Sequence, residues 1–400
     1  MTTGPDHGRR AALRAACRLC GAFSALGLGA APARAQAVDP PAPTIPSERL
    51  VRPALDTEEG GLWAMMEREE TKLRRSSFVV RETVLATYLQ QLVCRLAGSH
   101  CQDVRVYLVK SPLFNANMAP NGMMQVWTGL LLRVDNEAQL AAVLGHEIGH
   151  FLERHSLQQL RDAKSKSATA TFFAMFGLAG AVANLAVMAS MFSFSREQES
   201  RADTLGMLLM QQAGYDGREA AAVWDNLLGE LKVTGGEDAG RRSPMFATHP
   251  GAENRRDTLL RLAGDGSGGK VGREEFLLAT AAHRQGWLLD EVRRGQYEES
   301  LVLFDRMLAR SPADPLLLFA HGEVLRQRDG PGDLERCIDD LRRASSAERP
   351  PADAFRSLGL ALRRRSDNAG AVGAFRHYLS AAPRAVDAGL IQQYIAELQP

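Results

Sequence analysis

The sequence lacks the charge excess that nucleic-acid-binding proteins carry. Its 48 basic residues are balanced by 47 acidic residues, so the formal net charge is only +1, and no dense basic run occurs. Because a basic surface is the electrostatic footprint of nucleic-acid binding, we predict no nucleic-acid partner. The hydrophobic content of 45% and the charged content of 24% are typical of a soluble globular protein.

Cysteine is also scarce, with five among 400 residues. Two of them, Cys17 and Cys20, lie in a leader that we expect to be removed. Cys94 and Cys101 are close enough in sequence to pair in an oxidising compartment, and two reduced, half-buried thiols are the alternative. Because the mature chain contains no CxxC pair, a metal site built from thiolates is not expected.

The first 35 residues have the features of an export signal. Three arginines in the first 14 residues precede an Ala/Leu/Gly-rich run from Leu19 to Ala31. Ala33 and Ala35 are small residues at the positions that a signal peptidase recognises. A disordered basic leader on a cytosolic protein is the alternative. The five prolines within residues 38–53 predict a tether rather than core.

The residues with the clearest chemistry are His-Glu-Ile-Gly-His at 146–150. The preceding run, residues 136–144, is rich in Ala and Leu without Gly or Pro and predicts a helix. On a helix, His146 and His150 lie on one face about one turn apart. Two neutral imidazoles there can share one Zn²⁺, and Glu147 can take a proton from a zinc-bound water. A helix with two core histidines is the alternative.

Residues 195–203, SREQESRAD, offer a third ligand. Glu199 and Asp203 are four residues apart and therefore share one helical face. A carboxylate can complete a catalytic set of two histidines and one glutamate, and the acid one turn later can accept the free N–H of a ligand histidine. We prefer Glu199 to Glu197 because position 201, four residues after Glu197, is Arg201. A solvated helix face is the alternative.

Further secondary structure is predicted on the N-terminal side of the metal motif. Residues 60–98 show helical periodicity with many charges and predict two amphipathic helices. The stretches Val104–Val109 and Met123–Trp127 predict strands, with a turn at residues 120–122. A strand just ahead of the metal helix can be an edge that pairs with an extended peptide, and an ordinary hairpin is the alternative.

The uncharged stretch 168–192 is long enough to cross a bilayer as one helix. A single crossing would put Glu199 on the far side of the membrane from His146 and His150, although zinc–ligand bonds are only about 2 Å long. We therefore predict two short helices that turn near residues 177–180 and either pack on the protein or contact the membrane peripherally.

These motifs, with NANMAPNG and VWTGLL before them and Thr248-His249-Pro250 and Arg255 after them, resemble the HtpX- and CAAX-prenyl-protease-related gluzincin zinc metallopeptidases. The similarity covers about residues 60–262 and is strongest with the periplasmic BepA-type proteases, which assist β-barrel assembly in the outer membrane. The resemblance implies a zincin-like fold and one Zn²⁺ per chain. It also implies these roles: His146, His150 and Glu199 as zinc ligands, Glu147 as general base and Asp203 as support for a ligand.

The resemblance leaves two residues with open roles. His249 would lie near the metal, where it either stabilises the developing oxyanion or occupies the open site as a latch, and a helix-start histidine is the structural alternative. Arg255 either orients the transition state or pairs with an acid.

A weak repeat follows the Gly-rich break at residues 265–270. Residues 295–312 and 368–383 match the second half of a tetratricopeptide (TPR) unit. Their final prolines are 71 residues apart, which is two periods of about 34 residues plus three, and the surplus falls at residues 330–332. Stacked helix pairs of this kind expose a concave surface that binds peptides or proteins. A generic helical bundle is the alternative.

We therefore expect a mainly α (α+β) protein, with a zincin-like metallopeptidase domain around a small β-sheet and a TPR-like α-solenoid after it. The predicted order is signal peptide, Pro-rich tether, metallopeptidase domain, linker and repeats, at residues 1–35, 36–55, 56–263, 264–274 and 275–400.

The expected function is that of an exported, periplasmic zinc metalloendopeptidase in envelope quality control, with unfolded or misassembled proteins as substrates. The repeats would bind substrate or the outer-membrane assembly machinery, and residues 168–192 could touch the membrane peripherally. One alternative is a TPR-based chaperone with latched or minor protease activity. The other is a membrane-embedded HtpX-like protease.

Overall fold

The computed structural model describes residues 44–47, 50–165, 194–235, 243, 245, 248–249, 252–264 and 268–399. The predicted signal peptide and the apolar stretch 168–192 lie outside these residues. Within the described part of the chain, no helix combines the length and apolar character that crossing a bilayer requires.

Two helices precede the sheet, as the periodicity of residues 60–98 predicts. They are α1, Glu58–Arg75, and α2, Thr83–Ala97. Each follows a cap residue, Thr57 or Glu82, whose side-chain oxygen accepts backbone N–H bonds from the first turn. The prediction of two amphipathic helices is confirmed.

A disulfide joins Cys94 of α2 to Cys101 in the short 3-10 helix Gly98–Asp103. Of the two alternatives left by the sequence, the structure has the paired cysteines. The bond links residues seven positions apart and fixes the turn by which the chain passes from α2 to the sheet. Cys337 is buried and unpaired.

The sheet contains the strands β1, Arg105–Val109; β2, Ala116–Met118; and β3, Met123–Trp127. β3 is the central strand, because it pairs in parallel with β1 and antiparallel with β2. Both predicted strands are confirmed, and of the two alternatives for the strand ahead of the metal helix the structure has the hairpin, because β3 pairs on both sides. The outer strands are β1, which Val79 bridges at Val109, and β2, whose three residues are too few to show an alternating pattern.

Helix α4, Glu137–Leu152, carries the HEIGH motif and is buried over all 16 of its residues. A helix that is enclosed on every side needs apolar residues all round, which accounts for its Ala- and Leu-rich sequence. The neighbouring helices are α3, Thr128–Arg133; α5, His155–Ser165; α6, Arg196–Gln212; α7, Glu219–Gly235; and α8, Ala252–Ala263.

Helices α4 and α6 approach each other through small residues. Gly145 and Gly149 of α4 face Ala202 and Gly206 of α6. A methyl group on Gly206 would lie 2.7 Å from the backbone nitrogen of His146, which is closer than two such atoms can stand. The absence of side chains at this contact therefore lets the two helices that carry the predicted zinc ligands lie side by side.

Beyond residue 272 the chain forms a series of paired helices, which we call the repeat region. In both central pairs a glycine of the first helix faces a large side chain of the second, Gly322 against Leu341 and Gly359 against Phe375. The region consists of α9, Arg273–Arg293; α10, Tyr297–Arg310; α11, Pro315–Arg328; α12, Asp333–Ser345; α13, Ala352–Arg364; α14, Asn368–Ala381; and α15, Ala388–Leu398. This architecture is consistent with the predicted helical repeats.

A buried ionic network joins the repeat region to the helices around the sheet. Arg133, at the end of α3, donates to Glu230 of α7 over 2.7 Å and to Glu291 of α9 over 2.9 Å. All three side chains are buried. Residues 271 and 272, in the predicted linker, also accept hydrogen bonds from the first backbone N–H groups of α4. The segment is thus tied to the metal helix, and the domain boundary stays a prediction.

Candidate metal centre

The site is assembled from two capped helices and one connecting segment. α4 begins after Asn136, whose side chain accepts the Gln139 N–H, and α6 begins with a capping box between Ser195 and Gln198. These caps fix where each helix starts and hence which face carries the acids and histidines. The connecting segment holds His249, whose N–H donates to Met245 O over 2.8 Å.

Four buried side chains converge, and each offers one ligand atom within 4.8 Å of the others: His146, His150, Glu199 and His249. The two Nε2 atoms of His146 and His150 are 3.0 Å apart. His249 Nδ1 lies 3.2 Å from His146 Nε2 and 2.9 Å from Glu199 Oε1. In a tetrahedral site with bonds of about 2.0–2.1 Å, neighbouring ligand atoms stand about 3.3 Å apart. The spacing therefore fits one tetrahedrally bound cation.

The protonation states suit a cation as well. Burial holds the pKa values of His146 and His150 well below the usual range, and the charge of Arg255 lowers that of His146 further, so both imidazoles are neutral and have a free lone pair. Burial raises the pKa of Glu199, but the charge and hydrogen bonds of the neighbouring histidines outweigh it and keep the pKa low. Glu199 Oε2 is buried without a hydrogen-bond donor. A metal ion would satisfy it.

Asp203 and Arg255 lie behind the ligands rather than among them. Asp203 Oδ1 stands 2.9 Å from His146 Nδ1, where it can accept the ring N–H and leave Nε2 free for the metal. Arg255 Nη2 is 2.6 Å from the same carboxylate oxygen, and Nη1 is 3.2 Å from Glu199 Oε2. Its guanidinium also stacks 4.0 Å above the ring of Trp224. Of the two sequence alternatives for Arg255, this geometry matches the pairing with acids.

Glu147 faces the cluster from the other side of the first ligand. Burial raises its pKa to about 7, although the charge of His249 acts in the opposite direction. Its Oε1 has no hydrogen-bond donor and lies 3.4 Å from His249 Nε2. A backbone hydrogen bond also links it to Met118, the last residue of the edge strand β2. A proton-accepting group therefore lies directly beside a free strand edge.

The competing acid Glu197 points away from the site. It is exposed, whereas Glu199 is 4% exposed and lies inside the cluster. The side chain of His249 is just as deeply buried.

Sequence reasoning missed two contributors, His155 and Phe194. His155 Nδ1 lies 2.8 Å from His150 Nδ1, and burial lowers the pKa of His155 to about 4, so this ring is neutral and can accept the His150 N–H. Phe194 stacks on His150 with ring centroids 3.9 Å apart, and its N–H donates to Thr248 O over 3.0 Å. The sequence pointed to His155 only through its closeness to the HEIGH motif. Nothing in the sequence pointed to Phe194, which follows the uncharged stretch.

A helix that presents two histidines and a glutamate, crossed by a second helix with a carboxylate, defines a metalloendopeptidase of the HExxH type. Residues 80–263 match the family model "Peptidase family M48". This match, over just under half of the chain, confirms the resemblance inferred from the sequence motifs.

Named relatives agree with this assignment. The chain is 31% identical over 192 residues to the "Mitochondrial metalloendopeptidase OMA1" of Arabidopsis thaliana, covering 45% of this chain and 38% of that protein. It is 27% identical over 201 residues to the "Beta-barrel assembly-enhancing protease" of Escherichia coli K12, covering 46% of this chain and 40% of that protein. The chain thus spans less than half the length of these two relatives.

Proposed function

We propose that this protein is an exported zinc metalloendopeptidase that degrades unfolded or misassembled proteins of the cell envelope, including those of the outer membrane. The observation that carries the proposal is the buried convergence of His146, His150, Glu199 and His249 beside Glu147. Zn²⁺ is the expected ion because imidazole and carboxylate ligands in a tetrahedral arrangement are typical of it.

The expected reaction is hydrolysis of a peptide bond. When bound, zinc would supply a Lewis acid that makes water acidic and polarises the scissile carbonyl. Glu147 takes the proton from the attacking water and later delivers it to the leaving amine. A pKa near neutrality, as burial gives Glu147, suits a group that must accept and then release a proton. Asp203 orients the His146 ring by accepting its N–H, and Arg255 positions the carboxylates of Asp203 and Glu199 through ion pairs.

The edge strand β2 supports a binding mode for the polypeptide. An extended segment can pair with the free backbone groups of an edge strand, so that main-chain hydrogen bonds hold substrates of varied sequence. The backbone hydrogen bond between Met118 and Glu147 would bring such a segment next to the proton-accepting carboxylate.

Of the two sequence alternatives for His249, the geometry favours the latch. Its Nδ1 lies at ligand spacing from His146 and Glu199, and a metal with four protein ligands has no open position for water. The resting enzyme would then be silent until His249 withdraws. His249→Ala should raise casein cleavage by the purified protein, whereas a large loss of cleavage would support a role in the transition state instead.

Two observations support action outside the cytoplasm. The Cys94–Cys101 disulfide is typical of an oxidising compartment. A similar protein in Escherichia coli is named "Beta-barrel assembly-enhancing protease", which makes proteins of the outer membrane a natural substrate class. The repeat region would recruit these substrates or the assembly machinery, and residues 168–192 would at most touch the membrane peripherally.

Metal analysis and casein cleavage test the proposal together. The purified mature protein should contain one zinc per chain, and adding Glu147→Gln to the His249→Ala variant should keep the zinc while abolishing casein cleavage. A mature protein without stoichiometric zinc would end the proposal.

A chaperone whose protease is latched is the second candidate, because His249 lies at ligand spacing. Full rescue of a deletion strain by Glu147→Gln would favour the chaperone, and failed rescue by a folded variant would favour the peptidase.

A further inference from the structure

A cavity of about 620 Å³ lies where the end of α3 meets the repeat region. Its volume falls in the range of about 300–1,000 Å³ that ligand sites occupy. None of the predicted zinc ligands and neither of the helices α4 and α6 contributes to its lining. The hydrolytic mechanism above therefore leaves this cavity without a role.

The walls of the cavity are largely apolar. Leu132 and Val134 contribute from the end of α3, Phe276 and Trp287 from α9, and Met307 from α10. Aromatic and long aliphatic side chains of this kind bury the apolar side chains of a ligand. Because the walls come from both the sheet-bearing part and the repeat region, the cavity exists only where the two meet.

Four arginines also line the cavity, and two of them have acidic partners. Arg310 Nη1 lies 2.8 Å from Asp135 Oδ1, and Arg284 pairs with Asp314. The other two, Arg273 and Arg349, form no side-chain ion pair or hydrogen bond with another described residue. The cavity thus carries two positive charges that the described part of the fold does not neutralise.

The two unpaired arginines do not lie where they would be expected to stabilise the fold. Arg273 is the first residue of α9, where the helix dipole is positive and a cation is disfavoured. Glu275, in the same turn, pairs with Lys270 over 3.2 Å. Arg349 precedes two prolines that also line the cavity, and their fixed φ angles restrict how the chain presents it.

We propose that this cavity binds an extended polypeptide segment that carries apolar side chains and carboxylates, with Arg273 and Arg349 receiving the carboxylates. Guanidinium groups bind carboxylates through two parallel hydrogen bonds, which makes charge complementarity the basis of selection. The choice of a polypeptide as occupant rests on the proposed peptidase function. Because α3 leads into α4 through residues 134–136, a segment held here would be tethered beside the metal helix.

Fluorescence anisotropy on the full mature chain tests this site. The probe is a fluorescein-labelled hexapeptide of alternating Leu, Phe and Asp residues, compared with the same peptide in which Asn replaces Asp. The chain carries Glu147→Gln so that the probe is not cut. Arg273→Glu with Arg349→Glu should weaken binding of the Asp peptide by about tenfold or more and leave the Asn peptide unchanged.

Arg376→Glu with Arg384→Glu is the matched control, because it makes the same charge change at two exposed residues that do not line the cavity. Equal binding of the two peptides, or equal weakening by the control, would overturn the proposal. So would binding to phosphatidylglycerol vesicles through the same arginines without peptide binding. If the double glutamate variant does not fold, Arg273→Gln with Arg349→Gln provides the same comparison.

The test separates this site from the proposed function. Loss of peptide selectivity in a chain whose His249→Ala variant cleaves casein would remove the cavity proposal alone. Selective peptide binding by a chain that holds no zinc would remove the peptidase proposal alone.

Discussion

Three buried histidines of the metal centre are opposite in charge state to a buried histidine of the repeat region, whereas in His249 burial lowers the pKa but Glu199 and Glu147 outweigh it and raise it. In the metal centre, burial lowers the pKa values of His146, His150 and His155, so that their rings stay neutral. In the repeat region, burial also lowers the pKa of His321, but Asp305 and Asp340 outweigh it and raise the pKa to about 9.

The difference shows that the partner, not burial alone, decides what a buried histidine does. The Nε2 atoms of His146 and His150 stand 3.0 Å apart with lone pairs that one cation can share, and the donor nearest to His146 Nε2 is Arg255 Nη2 at 2.9 Å. His321 instead has a carboxylate on each ring nitrogen, with Nδ1 2.6 Å from Asp340 and Nε2 3.2 Å from Asp305. The first arrangement is suited to binding a metal ion, and the second holds helices together.

The largest effect is expected from removing the carboxylate of the metal centre. Glu199→Gln should lose most of the bound zinc, because a neutral amide is a poor ligand and the cluster loses its negative charge. Glu197→Gln, two residues away and exposed, is the control and should keep one zinc per chain. Measurement of zinc by atomic emission decides the matter, and the reverse result would reassign the ligand.

A smaller effect is expected from the histidine that holds His150. His155→Leu removes the acceptor for the His150 N–H, and we expect zinc affinity to fall about 10–100-fold, as is typical for groups that orient a ligand. His155→Asn keeps an acceptor near the position of Nδ1 and should restore most of the affinity. Competition with a chelator measures both variants. Equal losses in two folded variants would indicate a role in packing only.

Paired glycine substitutions compare the helix contacts of the two regions. Gly206→Ala would push α6 away from α4, and Gly359→Ala would press against the ring of Phe375 in the repeat region. Each should lower the free energy of unfolding by about 1–3 kcal/mol. Only Gly206→Ala should also weaken zinc binding, because only that contact aligns the ligands. Urea unfolding combined with zinc titration would show whether the two effects separate.

The smallest effect concerns pH and His321. Its folded pKa of about 9 lies above the unfolded value of about 6.5, so its stabilising contribution is complete below pH 6.5 and is lost as the pH rises through about 9. We expect the wild type to lose about 1–3 kcal/mol more stability than His321→Gln between pH 6 and pH 9.5. Parallel pH curves for the two proteins in urea unfolding would contradict this assignment.

The sequence predicts the metal helix well because its spacing is local. His146 and His150 are one turn apart, and Asp203 four residues after Glu199 distinguishes that acid from Glu197. Such relations need only a helical period, which residues 136–152 and 196–212 both satisfy. The helical repeats were predicted from a period of about 34 residues in the sequence. The surplus of three residues at 330–332 is also seen in the spacing of helix contacts in the structure.

In the structure, Gly322 and Leu341 are 19 positions apart, whereas Gly359 and Phe375 are 16 apart. The two contacts are equivalent, and the difference of three residues matches the surplus that the sequence spacing indicates.

What the sequence did not predict depends on tertiary contacts. The register that places β2 at the edge is set by pairing with β3, and three residues carry no periodic signal. His155 reaches His150 because the chain turns at Arg154, which has a positive φ of 56°, and starts a new helix. The partners of His321 come from α10 and α12, which no spacing rule joins.

The buried Arg133 restricts how the molecule can be divided. Cutting the chain at the predicted linker would take Glu291 away from Arg133 and leave Glu230 as its carboxylate partner in the first fragment. The second fragment would keep the Glu291–Arg294 pair but would lose the Arg133 guanidinium from Glu291 Oε2. Separate expression of the two pieces would therefore divide one buried network into two incomplete halves.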